Sequence, residues 1–302
     1  MLSAVGIEGY FRFIRGRHTE KDKASLMGEL LDKIGSNKAV VVGDRIHDID
    51  AAKENMIPSI GVAYGYGPEE MEKATFVAER PGDILHHINR IRMFNLIEED
   101  ILEKEENIKV VGINGVDTSG KTHFSSLLLN YLLARGQKVT LINLDDFHNP
   151  SDIRRKGINE IEAYLNNAFN LDYLIEELLQ PIKDGQVIDK TIKHLDLETD
   201  SYSKEKSYFV DEETIVLLEG VLLYREPVND FFDYRIFLDV PFSEVLNRAR
   251  KRDVPLYGEE FLEKYKKKYI PIQQRYIEEH NPLDKSNIVI DNRDYNQPVI
   301  KY

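Results

Sequence analysis

Short continuous apolar runs, separated by amphipathic or polar stretches, recur along most of the chain. In roughly the first ninety residues, Ala39–Gly43 (AVVVG) and Ser59–Ala63 (SIGVA) sit beside small-residue turns. That is the pattern of strands buried on both faces of a parallel sheet. Between Arg17 and Ser36, Asp22–Ile34 places Leu26, Leu30 and Leu31 on one helical face. The strand pattern restarts at Lys109–Ile113 (KVVGI) and repeats at Lys138–Leu144, Thr214–Leu218, Tyr234–Asp239 and Asn287–Asp291. Helical patterns lie between these runs, among them Phe124–Ala134 and Leu171–Leu179. Strands alternating with helices predict an α/β fold, a parallel sheet with helices on both faces.

Glu98–Lys109 (EEDILEKEENIK) breaks this pattern. It is charge-dense, with few apolar residues and no Gly or Pro. It reads as a solvated helical linker, with the boundary near Ile101–Asn107. The expected organisation is an N-terminal domain over residues 1–97, a charged linker over 98–107 and a second domain over 108–302. The total of 302 residues suits two domains of ordinary size. No internal repeat or low-complexity tract interrupts them.

Composition narrows the classes of function. With 42% hydrophobic and 31% charged residues the chain is expected to fold. No apolar run approaches the roughly 20 residues that span a bilayer. The N-terminus, MLSAVGIEGYF, has no basic leader before an apolar stretch, so neither a membrane partner nor secretion is expected. The absence of cysteine excludes disulfides and thiolate catalysis and fits a cytoplasmic location. A formal net charge of −13 argues against nucleic acid as the main partner. A phosphate-handling enzyme can still be acidic overall if its cations gather in one cleft.

Residues 115–122 read Gly-Val-Asp-Thr-Ser-Gly-Lys-Thr and satisfy G-x-x-x-x-G-K-[ST]. Gly115 and Gly120 are expected to let the backbone turn and bring its N–H groups to phosphate oxygens. The helix starting near Lys121 points its positive end at the same anion. Lys121 reaches the β- and γ-phosphates of ATP, and Thr122 offers its hydroxyl to Mg²⁺. Asp117 and Ser119 complete the expected nucleotide contacts. The strand before the loop and the helix after it supply the required setting.

Phosphoryl transfer also needs a group to orient or deprotonate the attacking hydroxyl, metal ligands, and cations for the transferring charge. Leu144-Asp145-Asp146-Phe147-His148 lies where a strand ends, the edge that faces the ligand crevice in open α/β sheets. Asp145 is the first choice for the base and a further metal-side acid, with Asp146 the runner-up. Glu219, in Leu217-Leu218-Glu219-Gly220, ends another strand and is a candidate for Mg²⁺ or its water shell. Arg248 and Arg252 are four apart and share a helix face, as a phosphate-clamping lid would.

These residues together resemble the uridine kinase / phosphoribulokinase / pantothenate kinase group of P-loop kinases, over about residues 108–302. The phosphate loop, Asp145-Asp146-Phe147 as D-x-F, Glu219-Gly220 as E-G, Arg248…Arg252-Asp253 and the terminal strand Asn287–Asn292 carry the resemblance. It implies a P-loop NTPase sheet and phosphorylation of a primary hydroxyl. It also implies Asp145 as base, Thr122 and Glu219 near Mg²⁺, and the Arg pair in the lid. The family's acid-rich nucleoside element appears here as Tyr164-Leu-Asn-Asn-Ala-Phe-Asn170, which keeps Ala168-Phe169 and lacks the acids. Its aromatic–Asp pair appears as Leu195-Asp196. Tyr269-Ile-Pro-Ile-Gln273 resembles divergent bacterial uridine kinase-like proteins. Uridine or cytidine is the acceptor implied at family level, with nicotinamide riboside, pantothenate and sugar phosphates as alternatives. A non-catalytic ATP-sensing module is the competing reading, and a phosphatase–kinase pair acting on one metabolite is a third.

The first ninety residues resemble the C-terminal half of a haloacid dehalogenase-like phosphatase, an incomplete Rossmann-like α/β segment. Asp44 and Asp48 would match that family's metal-side acids and Lys23 its phosphate-side lysine, with Tyr64–Gly67 after the next strand. The nucleophilic D-x-D-x-[TV] motif, the following Ser or Thr and the cap segment are absent from this chain. Without a nucleophile there is no covalent route. A relic, a docking module, a late start and a complementing phosphatase half all remain open. An unpaired sheet edge would also favour a homo-oligomer.

Overall fold

The computed structural model describes residues 5–14, 21–102 and 109–302. The chain divides into two compact units, Met1–His87 and Ile88–Tyr302.

The first unit holds a three-stranded parallel sheet in the order β1 (Val41–Gly43), β2 (Ser59–Val62), β3 (Phe76–Ala78). Every residue of β2 is buried, which explains its unbroken apolar pattern. Helix Lys23–Ile34 starts at Asp22, whose carboxylate accepts the Ser25 N–H at 2.8 Å. It ends at Gly35 in the left-handed conformation. Helix Ile46–Glu54 follows β1. Asp44, just past β1, accepts the Tyr66 N–H at 3.0 Å, and Lys23 pairs with Asp48.

The second unit is built on a six-stranded sheet. Its strands are β4 (Val110–Gly115), β5 (Val139–Asn143), β8 (Ile215–Gly220), β9 (Tyr234–Asp239), β10 (Ile288–Asp291) and β11 (Val299–Ile300). They lie in the order β11-β10-β9-β4-β8-β5, all parallel except the antiparallel β11. All six residues of β4 and of β8 are buried. Strand β5 follows β4 in sequence but lies beyond β8, so a crevice opens at the carboxyl end of β4. An antiparallel hairpin, β6 (Ile188–Asp196) and β7 (Ser201–Val210), is set apart from this sheet. The core gathers Val110, Ile142, Val216, Leu218, Phe237 and Val289 from the sheet with helix and hairpin residues such as Leu178 and Tyr208.

Two expectations change. The Leu171–Leu179 run is α-helical over Leu171–Leu174 and wider-turned over Ile175–Leu179. The charged stretch is not a solvated linker where the structure describes it. Glu98–Leu102 ends a 22-residue helix, Pro81–Leu102. Glu98 is buried there, accepting the Tyr131 hydroxyl at 2.6 Å and the Arg135 Nε–H at 3.1 Å. Ile97 and Ile101 are buried beside it, so the stretch carries a core-facing stripe among its charges. Residues 103–108 of that stretch lie outside the described residues.

Candidate active site

The phosphate loop leaves the central strand β4 and enters helix Lys121–Ala134. Thr118 and Gly120 adopt φ of 55° and 92°, so two of its residues take left-handed backbone. Gly115 is needed for a different reason, a lack of space. A Cβ there would stand 2.6 Å from Ser119 Oγ and 2.7 Å from the Leu238 carbonyl oxygen. Lys121 is buried and donates to the Val116 carbonyl at 2.9 Å, curling over its own loop.

The side chains expected to meet nucleotide or metal divide into distinct roles. Thr122 donates its hydroxyl to Glu219 Oε1 at 2.9 Å. Glu219 is buried, and that burial raises its carboxyl above the usual range despite the nearby Lys121 and the Thr122 hydrogen bond. Asp117 is gripped by Gln273, which accepts the Asp117 N–H at 2.7 Å and donates to its carboxylate at 2.5 Å. Burial raises the Asp117 carboxyl as well. Ser119 Oγ is buried with no hydrogen-bond partner among the described residues.

Asp145 and Asp146 lie in a single turn, Leu144–Phe147, whose buried ends Leu144 and Phe147 anchor it. The Asp145 side chain is exposed to the crevice, and the His148 Nδ1–H donates to its carbonyl at 2.8 Å. Asp146 instead pairs with Lys206 of β7 at 3.0 Å. The end of β8 packs closely on this turn, for a Cβ on Gly220 would lie 2.5 Å from that of Leu144.

Arg248, expected to clamp phosphates from a lid together with Arg252, is occupied by backbone carbonyls. Its guanidinium donates to the carbonyls of Thr118 (2.9 Å), Arg293 (3.0 Å) and Asn292. It therefore staples the phosphate loop to the end of β10, because a planar five-donor group satisfies several carbonyls at once. Arg252 remains largely exposed and pairs with Asp253 at 2.8 Å, which raises its pKa further.

One cleft of about 1070 Å³ brings Asp117, Lys121, Thr122, Asp145, Glu219, Arg248 and Arg252 together. Sequence reasoning missed most of the remaining wall of the cleft, which includes Tyr164, Tyr257, Phe261, Tyr265, Tyr269, Lys264 and Lys268. The positions 257, 261, 265 and 269 repeat every four residues, followed by Gln273, so a helical stripe was visible in the sequence. Asp196 is not in that wall; it is engaged by the Glu198 N–H at 3.0 Å and by Lys204. Asn170 caps the helix beginning at Leu171, accepting the Tyr173 N–H at 3.1 Å.

Thr122 and Glu219 fit a magnesium ion, two hard oxygen donors beside a phosphate loop, with Asp145 close enough to raise the Glu219 pKa. Among the described residues no group of three or more His, Cys, Asp or Glu could hold an ion by itself. The remaining ligands would be phosphate oxygens and water. Among the described residues no helix is long and apolar enough to cross a membrane.

Comparison with known proteins gives the family and the fold. The sequence profile of the phosphoribulokinase / uridine kinase family matches residues 110–283, more than half of the chain. A HAD-hydrolase-like profile matches residues 18–91. Uridine kinase-like protein 4 of Arabidopsis thaliana is 29% identical over 173 residues, 56% of this chain and 35% of that protein. A uridine kinase of Vibrio vulnificus is 27% identical over 190 residues, 59% of this chain and 84% of that protein. This chain thus spans about a third of the first relative and most of the second. A solved structure described as a possible uridine kinase from Bacillus stearothermophilus superposes with a TM-score of 0.54 at 23% identity. It covers 66% of this chain and 97% of its own, and it shares the fold.

Proposed function

The chain belongs to the phosphoribulokinase / uridine kinase family of phosphotransferases, and from that premise we propose that it transfers the γ-phosphate of ATP to a hydroxyl of a small molecule, a nucleoside such as uridine or cytidine. One observation carries the reading: Asp145, Glu219 and Thr122 share the cleft that holds the phosphate loop. A nucleotide sensor needs the loop alone.

The roles follow from chemistry. Backbone N–H groups of residues 115–122 cradle the phosphates, and Lys121 turns from the Val116 carbonyl to the anion. Thr122 and Glu219 would hold Mg²⁺, with Asp145 on the acceptor side, and the bound ion would supply neutralisation of phosphate charge. Asp145 accepts the proton of the acceptor hydroxyl and is the better base of the tandem pair, because Asp146 is committed to Lys206. Arg252 meets the transferring phosphoryl charge, while Arg248 shapes the loop. The tyrosine-rich wall suits a planar acceptor. The uridine kinase relatives favour a nucleoside.

The test is ADP release from MgATP across nucleosides, nicotinamide riboside, pantothenate and sugar phosphates, for wild type and Asp145→Asn. Turnover on one acceptor class that Asp145→Asn abolishes supports the reading. Tight ATP binding without turnover on any acceptor would replace it with the sensor.

A further inference from the structure

Asp145 and Asp146 are neighbours, yet only one faces the cleft. What separates them is the β6–β7 hairpin, which none of the phosphate-handling elements includes. His194 of β6 is buried, and its Nδ1 lies 3.0 Å from the Asp146 carbonyl oxygen. A carbonyl only accepts, so Nδ1 carries the proton. The other ring nitrogen, Nε2, lies 3.2 Å from the Tyr208 hydroxyl of β7 and accepts from it. Phe147 packs edge-on against the same imidazole, with ring centroids 4.9 Å apart. Lys206 holds the Asp146 carboxylate from the same hairpin. The turn is therefore held at the Asp146 carbonyl, the Asp146 carboxylate and the Phe147 ring, and the one group left pointing into the cleft is Asp145. Burial keeps His194 neutral by lowering its pKa, which preserves this donor–acceptor order.

We propose that His194 is a positioning residue: through its hydrogen bond to the Asp146 carbonyl it fixes the peptide that aims Asp145 at the acceptor hydroxyl. The proposal rests on Asp145 acting as the base. Misplacing a reacting group by about 1 Å can cost on the order of 100-fold in rate.

The experiment measures ADP release from MgATP, with uridine and with water alone as acceptors, in five variants. His194→Leu removes the donor and is expected to lower kcat about 10- to 100-fold, with KM for ATP within about twofold. His194→Asn keeps an amide N–H near the Nδ1 position and should recover most of the loss. Tyr208→Phe frees the ring and should give a smaller loss of the same kind. The double variant Asp145→Asn/His194→Leu should be no slower than Asp145→Asn, since His194 acts only through Asp145. ¹⁵N-imidazole NMR of the wild type at neutral pH should show His194 with its proton on Nδ1.

Wild-type kcat in His194→Leu, multiplied losses in the double variant, or an Nε2–H tautomer each overturn the proposal. If His194→Leu does not fold, full kcat in Tyr208→Phe together with a large loss in His194→Asn overturns it instead. Wild-type turnover in Asp145→Asn fails the underlying base assignment and takes this proposal with it. An inactive Asp145→Asn beside a fully active His194→Leu fails the positioning role alone.

Discussion

The hydroxyl of Thr122 donates to Oε1 of Glu219 across 2.9 Å, although the two residues stand 97 positions apart in the chain. The contact joins the start of the phosphate-loop helix to the end of β8. It places the two proposed metal-side oxygens beside Lys121. Glu219 is buried and its pKa is raised, so its ionised form is disfavoured by folding. A raised carboxyl binds its proton more readily in the folded state. Stability therefore falls as pH rises from the ordinary carboxylate value through the raised one, and the full penalty persists above it. Glu219→Gln, which keeps an acceptor for Thr122, should raise Tm at pH 7 and flatten that part of the pH profile. Turnover should drop about 10²–10³-fold. Thermal melts at several pH values, paired with MgATP turnover, check both halves.

The tandem acids should separate cleanly. Asp145→Asn should lower kcat about 10²–10⁴-fold with ATP affinity retained. Asp146→Asn, which weakens a half-exposed pair with Lys206, should cost about tenfold or less. Steady-state kinetics on both variants decide the assignment; the reverse order would make Asp146 the base.

Gly220→Ala tests the close approach of β8 to the Asp145 turn. Its new Cβ would press on Leu144, which is buried and has no room to retreat. Overpacking of this kind costs about 1–3 kcal/mol, read by denaturant melts. Turnover should fall further than stability alone explains, because the displaced residue adjoins Asp145.

The two arginines of the basic helix should behave differently. Arg248→Ala strips donors from the carbonyls of Thr118, Asn292 and Arg293, so it should weaken ATP binding and lower Tm together. Arg252→Ala should leave ATP binding within about threefold and reduce kcat by at least tenfold. Calorimetric ATP titration alongside kinetics separates loop stapling from charge stabilisation.

The end of helix Pro81–Leu102 is part of the phosphate-loop unit. Phe94 packs edge-on against Phe124 and tilted against Tyr131, while Glu98 anchors Tyr131 and Arg135. Residues 88–302 should fold and melt cooperatively, whereas residues 108–302 should be unstable or aggregate. Glu98→Ala, which removes the buried acceptor of the Tyr131 hydroxyl and the Arg135 Nε–H, should cost about 1–3 kcal/mol. Urea melts of the three proteins check the order.

Much of this protein was legible in the sequence because its signals are local. Buried parallel strands leave unbroken apolar runs, and five of them in the second unit stand within a residue or two of their predicted places. A phosphate loop must spell its glycines, lysine and threonine in eight consecutive positions, since backbone turn and helix start are one local structure. The tandem Asp145-Asp146 and the Glu219-Gly220 strand end were visible for the same reason. The sequence could not separate Asp145 from Asp146, because the separation comes from Lys206 and His194 on a distant hairpin. It hid the task of Gly115, whose missing side chain makes room for Leu238 rather than for a left-handed turn. It also made Arg248 look like a phosphate clamp and Glu98 like a solvent-facing carboxylate. Charge is a property of the residue, but whether that charge meets water, a carbonyl or a buried partner is decided only when remote segments pack together.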